Sequence, residues 1–145
     1  TSWKGDPKKS GGIETNIGIH LFDLLFYIFG NYEELKVFYR TEKTSSGFFR
    51  FGNTKVRWFL SIDKNQLDYI DKKAKNLREF KVNSKKIDFS ESFNDLHQES
   101  YKQILKNKGF GIDDVSSSIR TVNTIRKIKI TNVLKKDEVH PLLKK

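Results

Sequence analysis

The spacing of the apolar residues changes twice along this chain, and that limits the fold more than any other feature. Ile13, Ile17, Leu21, Leu24 and Ile28 fall at steps of four, four, three and four, which is one face of an α-helix, and Gly30 is placed as its C-terminal stop. From Leu35 the period drops to two. Leu35, Val37 and Tyr39 alternate with Lys36, Phe38 and Arg40; Phe48 to Phe51 follow, then Val56, Trp58, Leu60 and Ile62. Gly52-Asn53, and Asn83-Ser84 between Phe80/Val82 and Ile87/Phe89, are two-residue hairpin signals. Residues 64–76 are polar and read as a loop. These five runs predict a mostly antiparallel sheet. Helical spacing then returns. Leu96, Ser100 or Tyr101, and Ile104 follow a Ser92-x-x-Asp95 capping box in a helix ending near Lys106. After Gly109 and Gly111, Asp113-Asp114 opens a helix with a buried stripe of Val115, Ile119, Val122 and Ile125. Helix, strands, then helices predicts an α+β fold, a mostly antiparallel open sheet with helices packed on one face.

A chain of 145 residues has room for one domain, here residues 1–130, followed by a lysine-rich tail, 131–145, expected to be poorly ordered. Hydrophobic residues at 36% and aromatics at 13% exclude global disorder. No uncharged apolar run approaches the roughly 18 residues a membrane span needs, and no secretory leader opens the chain. The absence of cysteine excludes disulfides, thiolate metal sites and cysteine nucleophiles, and fits a cytoplasmic protein. There is no methionine either, so a chain opening Thr1-Ser2-Trp3 reads as a piece of something longer.

The net charge of +10 is spread thinly and interleaved with acids, except from Lys127 onward, where six basic residues face two acidic ones. It reads as solvated faces rather than a nucleic-acid footprint. Arg50-Phe51 and Arg57-Trp58-Phe59 leave open the alternative of a basic single-strand binder stacking bases on a sheet face, although in alternating strands the rings belong to the core. A structural domain with no intact site is a third reading. His20, His97 and His140 lack ligand spacing, so no metal site is expected.

Chemistry concentrates at the first helix. Ile19, Phe22, Leu25, Phe26 and Phe29 fill the side opposite the Ile13 stripe, so the helix is apolar nearly all round and is expected to be buried on several sides. One lane differs: Asn16, His20, Asp23 and Tyr27 stack along one line at steps of four, three and four. A polar lane on such a helix either pins packing as a satisfied ladder or faces a cleft. In the second case a histidine with a carboxylate one turn on is oriented for proton transfer. The loop before it favours the cleft. Lys4, Lys8, Lys9 and Ser10 lead through Gly11-Gly12 into a helix N-terminus, a pocket suited to an anionic small molecule. Gly109-Phe-Gly111 is no dinucleotide fingerprint, since no strand leads into it and the third glycine is missing.

Trp3-Lys-Gly-Asp6, then Lys9-Ser-Gly-Gly-Ile-Glu-Thr-Asn-Ile-Gly-Ile-His20, then Asp23, resembles a motif of the Gfo/Idh/MocA oxidoreductases: Gly-Gly, a short gap, Asp, x-Gly-x-His and a later Asp. The Trp-Lys-Gly-Asp and Thr-Asn variant is similar to the bacterial enzymes that oxidise a UDP-N-acetylglucosaminuronic acid at its 3-hydroxyl for lipopolysaccharide O-antigen assembly. Val56-Arg-Trp-Phe-Leu-Ser-Ile62 and Gly109-Phe-Gly-Ile-Asp-Asp114 also resemble that subgroup.

The resemblance implies a C-terminal substrate and oligomerisation domain, separated from the Rossmann half that binds NAD and carries a catalytic lysine, and therefore inactive alone. It implies that Lys4, Asp6, Ser10, Gly11, Gly12, Thr15 and Asn16 hold a UDP-sugar, that His20 assists proton transfer and that Asp23 orients it. Two positions depart from the common pattern. Asn16 stands where Asp is usual and cannot ionise, and Glu14 stands where the subgroup has a small residue. The sheet predicts self-association. With Val56, Trp58, Leu60 and Ile62 under the helices, the opposite face carries Phe59 among Lys55, Arg57 and Ser61, together with Phe38 and Phe48, a mixture suited to a homo-oligomer contact.

Overall fold

Gly30 ends the first helix as its placement implies. It takes φ 75°, and its N–H donates to the carbonyl of Phe26 at 2.8 Å. The computed structural model describes residues 7–70, 76–88, 95–132 and 135–143. They fall into two compact units, Thr1–Ile62 with Ile112–Lys145, and Asp63–Gly111.

In the first unit a short helix, α1 (Pro7–Ser10), precedes a π-helical turn, Glu14–Gly18, that runs straight into α2 (Ile19–Phe29). Three strands follow in the order β1 (Glu34–Arg40), β2 (Thr44–Phe51), β3 (Thr54–Ser61), all antiparallel. Gly52-Asn53 joins β2 to β3, as expected. β2 begins earlier than its aromatics suggest, because Thr41 closes the preceding turn: its hydroxyl accepts from the N–H of Thr44 at 3.0 Å. Gly47 lies opposite Trp58, and a methyl group there would stand 2.5 Å from the indole Cζ2. The ring can lie flat on the sheet only because that Cβ is missing.

One sheet face carries Val37, Phe49, Phe51, Trp58 and Leu60, and α2 packs on it through Phe22 and Phe26. Phe22 meets Phe49 and Trp58 edge-on, with centroids 5.4 and 5.3 Å away. α5 (Ile112–Lys127) packs beside α2, and its terminal carbonyls, of Ile125 and Ile128, accept from the Arg40 guanidinium.

Several expectations are corrected here. α2 is buried on one side only: Ile17, Tyr27, Ile28 and Phe29 are exposed. Ile62 and Ile119 are exposed as well, and the buried stripe of α5 is Ser118, Thr121, Val122 and Ile125. Among the described residues the strands form two sheets, not one: in the second unit β4 (Glu79–Val82) and β5 (Lys85–Asp88) pair there only with each other, across Asn83-Ser84. Residues 64–70, expected as loop, form α3 (Lys64–Ile70), started by the Asp63 carboxylate accepting from the N–H of Asn65. α4 (Leu96–Leu105) is capped at Asp95, with φ 65° and no side-chain capping bond. Ser92 of the expected capping box lies outside the described residues.

The tail also differs from expectation over residues 135–143. Val139 is buried in a cluster with Phe38 and Phe48, against which Leu143 of a single 3-10 turn (Pro141–Leu143) packs. His140 stacks on Phe59 at 5.4 Å, and Lys55 pairs with Asp137 at 2.6 Å. The tail therefore occupies the sheet face that was expected to carry a homo-oligomer contact. The same packing places Phe51 and Trp58 in the core and Phe59 under His140, which takes those rings out of a base-stacking surface.

A partly buried ion pair fastens this strap. Lys36 donates to Glu138 at 2.8 Å, where the carboxylate is almost fully enclosed. The bond to Glu138, and then that to Glu34, holds the ammonium charged above its ordinary range. Its contribution is complete below pH 10.5, the ordinary lysine value, and is lost as pH rises through the higher folded value. Glu34 is shifted the other way, downward, by Lys36 first and Arg50 second; its contribution is present above pH 4.5 and is lost as pH falls through the lowered value. Lys36→Met leaves the Glu138 carboxylate enclosed, with Lys135 3.9 Å away as its remaining cation. The expected loss is about 2–4 kcal/mol by urea unfolding at neutral pH, with earlier proteolytic cleavage within 135–143. Unchanged stability and cleavage would show that the strap holds without the pair.

Candidate functional site

The corner before α2 is built by backbone that only glycine accepts easily. Gly11 and Gly12 take φ 79° and 83° in succession. This reverses the chain between α1 and the π turn, so that the first side chains of the turn fold back on the corner. Thr15 Oγ1 donates to the carbonyl of Gly11 at 2.9 Å, and Asn16 donates both its backbone N–H and its Nδ2 to that of Gly12, at 3.1 and 3.0 Å. A methyl group on Gly11 would stand 2.6 Å from Thr15 Oγ1, so glycine is required for space as well as for φ. Ser10 is buried behind the corner, and its hydroxyl accepts weakly from the N–H of Gly12 at 3.4 Å. Lys8 and Lys9 are exposed on α1.

The polar lane runs down the solvent side of the helix. Asn16, His20, Asp23 and Tyr27 are all exposed, which excludes a core ladder. Because Asn16 commits its amide N–H to Gly12, its Oδ1 is left as an acceptor at the mouth of the lane. His20, one turn on, has no hydrogen-bond partner among the described residues. Asp23 was expected to orient His20; instead its Oδ1 accepts from Ser118 Oγ of α5 at 2.6 Å. That bond fixes the carboxylate on the helix face shared with His20, three residues away. The structure thus brings Ser10, Gly11, Gly12, Thr15 and Asn16 together at the corner and places His20 and Asp23 below them. Lys4 and Asp6 lie outside the described residues.

Two features escaped the sequence reading. Ser118 carries no hydrophobic signal, so a stripe drawn through the aliphatic residues of α5 leaves it out. The spacing Ser118, Thr121, Val122, Ile125, at i, i+3, i+4 and i+7, contained the signal. Glu14, expected to trouble an anionic ligand, turns into the domain. It is 4% exposed, its Oε1 is enclosed without a hydrogen-bond partner among the described residues, and its Oε2 lies 3.3 Å from where a Gly12 Cβ would stand.

Among the described residues no three metal-ligating side chains stand together, and no helix is long and apolar enough to cross a membrane. Among the same residues every paired strand is antiparallel, so they form no parallel strand–helix–strand crevice for a dinucleotide. The corner and lane present backbone carbonyls tied down by Thr15 and Asn16, an amide acceptor, and an exposed imidazole three residues from a carboxylate bound by Ser118.

Known proteins share this fold. The family model described as the oxidoreductase family C-terminal alpha/beta domain (GFO_IDH_MocA_C) matches residues 1–64, which contain the corner and the lane. The WlbA (WbpB) dehydrogenase from Thermus thermophilus, crystallised with NAD and UDP-GlcNAcA, superposes with a TM-score of 0.86 at 37% identity over 97% of this chain. The same dehydrogenase with NAD and alpha-ketoglutarate gives a TM-score of 0.87, again at 37% identity over 97% of this chain. This chain spans 45% and 46% of those two, less than half their length. On the match to the corner motif and the superposition of nearly its whole length, the chain belongs to the Gfo/Idh/MocA oxidoreductase family, as its C-terminal alpha/beta domain.

Proposed function

We propose that this chain is the substrate-holding half of a cytoplasmic NAD-dependent nucleotide-sugar dehydrogenase. Its substrate is a UDP-N-acetylglucosaminuronic-acid-like sugar, oxidised to the 3-keto form for lipopolysaccharide O-antigen assembly. The observation that carries this reading is the exposed Asn16–His20–Asp23 lane beneath the Gly11–Gly12 corner, in a domain that superposes on a dehydrogenase bound to UDP-GlcNAcA. NAD, when bound by the nucleotide-binding half of a longer polypeptide, supplies a hydride acceptor.

The residues of this chain do the remaining work. Ser10 and Thr15 shape the corner that takes the sugar, and the family motif adds Lys4 and Asp6 as the charged groups that contact it. Asn16 Oδ1 accepts from a sugar hydroxyl, and because an amide cannot ionise it positions that hydroxyl without taking its proton. The proton passes to His20, whose exposed ring is free to accept it. Asp23, anchored by Ser118, faces the imidazolium as it forms.

The test is an NADH absorbance assay with a panel of UDP-sugars, run on the 145-residue chain and on a polypeptide joining it to a family nucleotide-binding half. The joined protein should reduce NAD with the uronic acid sugar, and the chain alone should not. Turnover by the chain alone, or none by the joined protein with any UDP-sugar, rejects the proposal.

A further inference from the structure

Glu14 is an isolated carboxylate at the packed base of the corner. It opens the π turn and is buried, yet it has no hydrogen bond or ion pair among the described residues. Enclosing such a group costs stability unless a partner replaces its lost hydration. Its two oxygens are placed differently. Oε1 is fully enclosed, whereas Oε2 comes forward to Gly12. Around the point where a Gly12 Cβ would stand, Oε2 at 3.3 Å is the one heavy atom within 4 Å, chain neighbours aside, among the described residues. Glycine at position 12 therefore leaves a notch lined by a carboxylate oxygen. The adjoining side chains have the same polarity. Thr15 commits its hydroxyl hydrogen to Gly11 and Asn16 its amide N–H to Gly12, so Thr15 Oγ1 and Asn16 Oδ1 are left as acceptors. Together these three side chains suit hydrogen-bond donors, not the anion that the lysines and glycines of the sequence suggest.

We infer that Glu14 is a specificity-determining residue: across the Gly12 notch its Oε2 accepts a hydrogen bond from the 2-acetamido N–H of the sugar. The inference rests on the proposed function for the sugar itself. The choice of donor follows from charge and ring chemistry. With the 3-hydroxyl on Asn16, two ring positions flank the reacting carbon, one carrying the acetamido group and the other the 4-hydroxyl. The 4-hydroxyl neighbours the carbon that bears the sugar carboxylate. Seating it on Glu14 would bring two carboxylates together at a poorly hydrated corner, which is repulsive. The acetamido group lies on the other side of the reacting carbon, away from that charge, and it carries an N–H. A bond from it to a carboxylate is charge-assisted and stronger than one to a neutral acceptor. Glu14, two residues before Asn16 and tied to the same Gly12, is placed to take the substituent next to the hydroxyl that Asn16 positions. The stability lost by enclosing Oε1 is then the cost of presenting Oε2, a trade common at binding sites.

The test is a binding cycle on the full 145-residue chain, read by NMR titration without NAD. The probes are UDP-N-acetylglucosaminuronic acid and its analogues lacking the 2-acetamido group or the 4-hydroxyl. The unmodified chain should bind the complete sugar about tenfold or more tightly than the analogue without the acetamido group. Glu14→Ala should lose most of that difference, while the effect of removing the 4-hydroxyl stays the same in both proteins. Glu14→Gln keeps the volume of the side chain and removes its charge. It should bind the complete sugar more weakly and yet unfold at a higher urea concentration than the unmodified chain. No binding by the unmodified chain overturns the inference. So does an acetamido preference that survives Glu14→Ala, an effect of Glu14 confined to the 4-hydroxyl, or a Glu14→Gln protein that is less stable. Reduction of NAD by the joined protein is a separate readout: it can succeed with Glu14 reading nothing, and then only this inference falls.

Discussion

Phe22→Ala should cost about 3–5 kcal/mol, a large part of the stability of a domain this size. The ring is fully enclosed and is the point where α2, β2 and β3 meet. It contacts Phe49 and Trp58 edge-on, and Gly18, one turn earlier, is so close that a methyl group there would stand 2.9 Å from Phe22 Cε2 and 2.8 Å from Leu60 Cδ1. Removal of the ring forfeits its transfer free energy and two edge-to-face contacts, and leaves a cavity. Phe49 and Trp58 cannot close that cavity without leaving the sheet surface. Tyr27→Ala on the same helix is the control: it is 89% exposed, and the expected change is within about 0.5 kcal/mol. Urea unfolding of the two variants decides the matter. A loss below about 1 kcal/mol for Phe22→Ala would mean that α2 is not held by this cluster.

The parts of the fold legible in the sequence are those set by local chemistry. Gly30, Gly52-Asn53 and Asn83-Ser84 each impose a backbone that few residues adopt, and each marks a boundary where the pattern puts it. The corner at Gly11-Gly12 was legible for the same reason. Tertiary choices were not. Ser45 and Ser46 are fully buried in β2, but small hydroxyl residues show no hydrophobic period. α3 has only a short apolar patch, Leu67, Tyr69 and Ile70, too brief to show a helical period; its start rests on Asp63, a residue equally at home in a loop. Val139, His140 and Leu143 look like part of a solvated tail until Phe38, Phe48 and Phe59 are seen to need a cover. The lane on α2 was read from spacing alone, but whether it faced core or solvent depended on the side of the helix that met the sheet. The Asp23–Ser118 bond joins residues 95 positions apart, and nothing local announces it.

His20→Ala in the joined dehydrogenase is expected to lower turnover by roughly 10²–10⁴-fold, the range for losing a positioned acid–base group. It should do so with little change in unfolding free energy, because the ring is exposed and has no hydrogen-bond partner among the described residues. The two readouts separate the roles a histidine on a helix can play. A packing residue would lose stability and activity together. A group that only binds sugar would raise KM and spare turnover, whereas one that takes the hydroxyl proton lowers turnover at saturating sugar. Asp23→Asn and Ser118→Ala sharpen the argument. The first removes the charge facing the ring and keeps the acceptor for Ser118; the second keeps the charge and removes the anchor. If Asp23 acts through charge, Asp23→Asn lowers turnover about tenfold or more and Ser118→Ala does less. If it acts through placement, the order reverses. Should turnover at saturating sugar persist unchanged in His20→Ala, the proton goes elsewhere, and the exposed imidazole of α2 is a binding group only.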